Sequence, residues 1–220
     1  MLGRTRQNYT GEFVILEKKI ADGTTEEKRQ WIDNPIENHH ISGRAAVIGS
    51  RVDQSRFQYQ RLQRHKGGLL ATKRLQTYGT GDLWTDMTFD FYVTTDKTIL
   101  SELANKEYDL RSTVYTSARL CIENPSRFYP VPYLPVMDSL ALSVYLAAFD
   151  GHQEIFLIGY NNDTPYGKLS WIYDVFRVIH AYPTTKFTVV GRKSNVPELW
   201  RNCKNVNCID FREFVLYCDV

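Results

Sequence analysis

Several short polar clusters in this chain follow apolar runs, and their residue types suit chemistry on a phosphorylated, hydroxyl-rich ligand. They are Gly49-Ser50-Arg51, Arg74 to Tyr78, Thr94-Thr95-Asp96, Tyr115-Thr116-Ser117, Gly159-Tyr160-Asn161-Asn162 and Gly191-Arg192-Lys193-Ser194-Asn195. Together they offer hydroxyls, amides, an aromatic face and positive charge, a set better matched to a nucleotide or phosphosugar than to an apolar molecule. The cluster from Gly159 to Asp163 is the most informative, because four polar side chains follow a wholly apolar strand. Asn and Asp also favour turns for local reasons. Asp138-Ser139 opens a helix and can present backbone N–H groups to an anion or simply act as a cap. Asp96 can bind a ribose hydroxyl or cap the helix after it, and a plain tight turn also accounts for Gly49-Ser50.

These clusters matter only if the elements before them bring them to one edge. Ala45 to Ser50, Leu69 to Thr72, Phe89 to Asp96, Ser112 to Thr116, Glu154 to Gly159 and Lys186 to Gly191 read as strands, most of them short and apolar on both faces. Between them, Phe57 to His65, Thr98 to Tyr108, Ser139 to Phe149, Leu169 to Ala181 and Val196 to Cys203 read as helices. Gly151 stops the third of these, and Leu169, Ile172, Phe176 and Ile179 make one apolar face of the fourth. Repeated strand–helix–strand order predicts an α/β domain, Rossmann-like, with a mostly parallel sheet and helices on both faces. In such a sheet ligands bind outside the carboxyl ends of the strands, near a topological switch point. The N-terminus has a different grammar. Residues 11–32 read as a β-hairpin with its turn at Ala21 to Thr24, and Asn34-Pro35 begins a polar link. The expected division is an extension over 1–43 and an α/β domain over 44–220.

Composition narrows the classes. Apolar residues make up 43% of the chain and charged residues 24%, ordinary for a globular protein. No apolar run is long enough for a membrane span and the start lacks a signal-peptide core, so a cytoplasmic location is expected. The net charge of +2 does not by itself imply nucleic acid. Cys121, Cys203, Cys208 and Cys218 form no C-x-x-C pair and read as scattered thiols. The glycine fingerprints of dinucleotide- and P-loop enzymes, the serine-hydrolase elbow, H-E-x-x-H and a D-x-D pair are all missing, so neither a metal nor a cofactor is expected.

At the third helix and the strand after it the residues resemble a known family. Asp138-Ser139, then Ala141 to Ala148, then Gly151-His152-Gln153-Glu154-Ile155-Phe156-Leu157-Ile158-Gly159 are similar to bacterial sialyltransferases of the Campylobacter type and their uncharacterised relatives. Those carry a Ser-Gly pair opening a helix and a Gly-Tyr-Lys-Glu-Ile strand ending in Gly-Ile-Asp. Lys186 to Val190 with Lys193 to Leu199 resembles their later strand and its Asn-Ser-Leu turn, and Ala45 to Ser50 their first strand and its Gly-x-Gly turn. The likeness spans residues 45–210 as a pattern. It implies metal-independent transfer of a sugar from a nucleotide-sugar donor. Gly49, Ser50 and Ser139 would contact the donor nucleotide, with Tyr160, Asn161 and Asn162 near its base, ribose or phosphate. Thr95 and Asp96 would complete the edge, and Tyr166, Lys168, Arg192 and Lys193 would steady the leaving phosphate. The chain departs from the pattern at Arg51, Leu140 and Tyr160-Asn161. The family's lid with its general-base His has no room between the strands, where only residues 160–185 intervene. The base would then be Asp163, Asp96 or His180. The acceptor is expected to be a glycan or modified DNA.

Two further readings stand beside this one. In the first, the α/β core is a non-catalytic scaffold and the N-terminal hairpin pairs with a partner or a second copy, giving a homo-oligomer. In the second, the chain binds nucleic acid through Arg51, Arg56, Arg61, Arg64, Lys66, Lys73 and Arg74, interleaved with Phe57 and Tyr59.

Overall fold

Strands that are apolar on both faces can be stable only inside a sheet covered on both sides, and the chain builds one. The computed structural model describes residues 11–19, 25–33, 43–49, 58, 60–63, 75–132, 136–160 and 170–219. In chain order the elements are β1 (Gly11–Lys19), β2 (Thr25–Asp33), β3 (Arg44–Ile48), α1 (Gln60–Gln63), β4 (Gln76–Gly79), β5 (Phe91–Val93) and α2 (Lys97–Asn105). There follow β6 (Thr113–Thr116), α3 (Ala118–Glu123), β7 (Tyr129–Pro130), α4 (Ser139–Phe149), β8 (Glu154–Ile158) and α5 (Ser170–Ala181). The last are β9 (Lys186–Val190), α6 (Glu198–Arg201), β10 (Val206–Ile209) and α7 (Phe211–Asp219).

Eight strands form one sheet in the order β10-β9-β8-β3-β4-β5-β6-β7, with every neighbouring pair parallel. The chain starts this sheet in its middle, at β3, and steps outward to β7. It then returns to lay β8 on the other side of β3 and steps outward again to β10. The crevice between β3 and β8 is therefore the switch point, where successive connections leave in opposite directions. β1 and β2 pair antiparallel, apart from the large sheet. The residues of the expected turn, 20–24, and of the link, 34–42, lie outside the described residues, so the hairpin extension falls only partly within them.

The strands alternate between two apolar layers. Ala45, Val47, Phe91, Val93, Ile155 and Leu157 pack on the side of α4 and α5. Ala46, Ile48, Tyr92, Phe156 and Ile158 pack on the other side, with Leu100 and Leu103 of α2 and Phe214 and Cys218 of α7. α4 is buried all round from Leu140 to Phe149, which is why its sequence shows no polar face. α5 is amphipathic: Trp171, Ile172, Val175, Val178 and Ile179 are buried while Tyr173, Arg177 and His180 are exposed. That stripe is shifted from the one read in the sequence, with Phe176 at its edge and Leu169 outside the described residues.

One strand was not foreseen where it lies. Gln76–Gly79 sits beside β3, and the expected strand over 69–72 is outside the described residues. A polar strand survives in the core because its side chains find distant partners. Thr77 donates from its amide and hydroxyl to Asp90 Oδ2 at 2.9 and 3.0 Å. Tyr78 donates to Asp150 Oδ2 at 2.6 Å, and its hydroxyl lies 2.9 Å from His152 Nε2. The strand expected over 89–96 is shorter: Phe89 gives its amide to the Tyr108 hydroxyl, and residues 94–96 turn away to cap α2. α3, β7, β10 and α7 were also absent from the sequence reading. Cys121 and Cys218 are buried, and Cys203 and Cys208 are half-buried. Among the described residues no helix is long and apolar enough to cross a membrane.

Candidate functional site

The carboxyl ends of β3, β4 and β5 meet the first turns of α2 and α4 around a cleft of about 190 Å³. Each helix start is set by a capping carboxylate. Asp96 Oδ1 accepts from the amides of Thr98 (2.7 Å) and Ile99 (3.3 Å), and Asp138 Oδ1 accepts from Leu140 N at 2.9 Å. Both aspartates line the cleft, so two N-terminal dipoles converge there with their charge already balanced. Ser139 lines it too, and its hydroxyl lies 3.5 Å from that of Thr95. Thr94 accepts from the Asp96 amide at 3.2 Å and steadies the same corner.

Gly49 closes the floor. Its amide donates to Ile158 O at 2.9 Å, across the switch point. A Cβ there would stand 2.7 Å from the Tyr160 ring and 2.8 Å from Leu140 Cδ2, so only glycine lets α4 and Tyr160 come so near. On the β4 side Gly81, at φ 73°, turns the chain into the left-handed region, and its carbonyl accepts from the Tyr92 hydroxyl. Between them stands Thr80. It is 1% exposed and lines the cleft, and its hydroxyl has no hydrogen-bond partner among the described residues. A buried hydroxyl left without a partner normally costs about 1–3 kcal/mol.

The structure thus gathers Gly49, Asp96 and Ser139 on one cleft, with Thr95 beside them. Ser50, Asn161, Asn162, Asp163, Tyr166 and Lys168 lie outside the described residues. Arg192 and Lys193 are exposed just after β9, two strands from β3 and so about 10 Å across the sheet edge.

Tyr160 and His180 are not among the residues that line this cleft. The Tyr160 side chain is buried, its ring under Gly49. Its hydroxyl and that of Ser143 each lie 2.8 Å from Leu140 O and 2.9 Å from one another, pinning the first turn of α4 to the end of β8. His180 is not near the cleft. It sits in the last turn of α5, about 15 Å along that helix from its start, at the edge where β9 begins. There its ring meets Phe176 at 4.3 Å and its Nε2 lies 3.9 Å from Cys203 Sγ. Burial pushes the Cys203 thiol up.

Thr80, Gly81, Ile99 and the inward-facing Asp138 complete the site. Thr80 and Gly81 were missed because their strand was read earlier in the chain. The one available signal was Gly79 to Gly81, two glycines flanking a hydroxyl. At the opposite edge Tyr78, Asp150 and His152 form a buried polar knot that ties β4 to the turn between α4 and β8. Tyr182 packs nearby, its hydroxyl kept protonated by burial and then by the negative charge of Asp150.

No protein-family model matches the chain, and no curated protein does. Two solved structures resemble it. One is a mutant of the alpha-2,3/8-sialyltransferase CstII, with a TM-score of 0.43, 10% identity and coverage of 66% of this chain and 80% of that one. The other is the sialyltransferase CstII from Campylobacter jejuni in complex with a substrate analogue, cytidine-5'-monophosphate. It has a TM-score of 0.39, 11% identity and coverage of 66% and 78%.

Proposed function

We propose that the chain transfers a sugar from a nucleotide-activated donor, without a metal, to a hydroxyl of a glycan or a modified DNA base. The observation that carries this reading is the buried, unpartnered Thr80 hydroxyl in a cleft at the carboxyl edge, beside the switch point. Pockets that enclose a whole drug-sized ligand run from ~300 to ~1,000 Å³. This cleft is smaller and suits one hydroxyl-bearing ring. Asp96 and Asp138 favour such a ring as well, since carboxylates accept from hydroxyls and repel phosphate. The phosphates then belong toward Arg192 and Lys193, across the switch point.

In the transfer, the acceptor oxygen bonds to the anomeric carbon as the bond from that carbon to the donor phosphate breaks. The electron pair leaves with the nucleotide, whose developing charge Arg192 and Lys193 would stabilise. The acceptor's proton passes to a carboxylate. Asp138 gives one oxygen to Leu140 N and keeps the other for this role; Asp163 is the alternative from the sequence.

The test is a thermal-shift screen against CMP, UDP, GDP and their sugar conjugates, with and without Mg²⁺. A ligand bound only by the folded state at a hundred times its Kd stabilises by about 2.7 kcal/mol. A selective, Mg²⁺-independent rise in Tm that is lost in Ser139→Ala supports the reading. No rise with any nucleotide or conjugate overturns it.

A further inference from the structure

A second cleft, of about 510 Å³, lies between the turn after β4 and the segment after α2, and the transfer reading makes no use of it. Trp84, Asp86 and Thr88 line one part and Lys106, Tyr108 and Arg111 another. Tyr108 organises it. Its buried hydroxyl accepts from Phe89 N at 3.0 Å and donates to Met87 O at 3.2 Å, fixing the Trp84 to Phe89 segment. Its ring meets Trp84 edge-on at 6.2 Å, and the Arg111 guanidinium stands 5.9 Å from its centroid. Glu107 takes a left-handed conformation, φ 51°, and so bends the chain between Lys106 and Tyr108. The bend brings Lys106 and Arg111 to the same cleft, with an Arg111 guanidinium nitrogen donating to Lys106 O at 3.4 Å. The Lys106 ammonium is exposed and makes no ion pair among the described residues.

An aromatic plate beside two exposed cations is the pairing that single-stranded nucleic acids use. Bases stack on the ring whatever their sequence, and the backbone phosphates lie on the cations. We propose that this cleft is a contact for single-stranded nucleic acid, with a base against Trp84 and its flanking phosphates at Lys106 and Arg111. Asp86, the one carboxylate among the described residues that line the cleft, keeps phosphate off the Trp84 side and can accept from a base's exocyclic amine. Both cations sit at the open surface, so a continuous strand can pass where an enclosed pocket would admit only a free nucleotide.

The experiment is fluorescence anisotropy of a labelled oligothymidine against the full chain, over about 50–200 mM salt. Lys106→Gln with Arg111→Gln should flatten the plot of log K against log salt by about 1.4, since each contact to a single strand contributes about 0.7. Trp84→Leu, checked for native circular dichroism, should weaken binding by about fivefold to a hundredfold. Ser139→Ala should bind the strand as the parent does, which keeps this result separate from the fate of the transfer reading. An abasic strand that binds as well as the intact one overturns the stacking. A salt slope unchanged in the exposed double variant, or no binding at the lowest salt, overturns the proposal as a whole.

Discussion

Replacing Thr80 by valine should make this protein more stable and a poorer binder at once. The two side chains have the same shape, so the core keeps its packing while one buried hydroxyl is lost. That hydroxyl sits on a residue 1% exposed and has no partner among the described residues, so its burial is an uncompensated cost. Removing it should return about 1–2 kcal/mol. For a chain of this size each kcal/mol moves Tm by about 2–4 °C, so the variant should melt about 2–8 °C higher. If the hydroxyl is the point where a ligand ring is held, the same change removes one hydrogen bond in the complex, and affinity should fall about threefold to tenfold. Thr116→Val is the control. Its hydroxyl is equally buried and, among the described residues, equally without a partner, at the end of β6, but it does not line the cleft. It should gain stability and leave binding alone. Urea titration for the first quantity and calorimetry with the best ligand of the thermal screen for the second would settle both. A Thr80→Val protein less stable than the parent would mean that the hydroxyl is satisfied and the reasoning is wrong. Unchanged affinity would mean that the cleft holds its ligand by other groups.

The remaining predictions test the frame around the cleft. Gly49→Ala places a methyl 2.7 Å from the Tyr160 ring and should destabilise by about 1–3 kcal/mol, read as a lower urea midpoint with an unchanged slope. Burial raises Tyr108 to about 12 from 10.0, so the folded state keeps a proton that the unfolded state gives up. Its contribution is whole below pH 10 and is lost as pH climbs toward 12, by about 2–3 kcal/mol across that window. Urea midpoints at stepped alkaline pH, with tyrosinate absorbance followed in parallel, would show a flat profile if Tyr108 titrated like an exposed phenol.

What could be read from the sequence was what local chemistry decides. Asp138, the apolar run after it and Gly151 announce α4 and both its ends, and the helix caps and stops at those residues. β8 and β9 are short apolar runs between helices and needed no distant partner to be recognised. β4 is the opposite case. Gln76-Thr77-Tyr78-Gly79 has no apolar run, and it is a strand because Asp90, Asp150 and His152 satisfy it from elsewhere in the chain. The consequence reaches the site: with Gln76 to Gly79 not read as a strand, Thr80 and Gly81 are not seen as its carboxyl end. Tyr160 and His180 show what residue type leaves open. Their types suit ligand contact and base catalysis, but direction is set by packing. One ring is pulled under a glycine, and the other is carried to the far end of a helix.

The cleft's acidity bears on how any donor must lie. An anion-binding site at a helix N-terminus works because the first amides are unpaired. Here Asp96 occupies two of those amides on α2 and Asp138 one on α4, so the dipoles that would attract phosphate are spent on the protein's own carboxylates. Among the described residues, exposed positive charge lies instead beyond β8, at Arg192 and Lys193, about 10 Å from the end of β3. A ligand held at both places has its hydroxyl-bearing ring in the cleft and its phosphates across the switch point. The bond between them then lies over the crevice where β3 and β8 part. Asp138, at the start of α4, lines the cleft beside that crevice, and this is the geometric reason the proposed transfer gives it the proton.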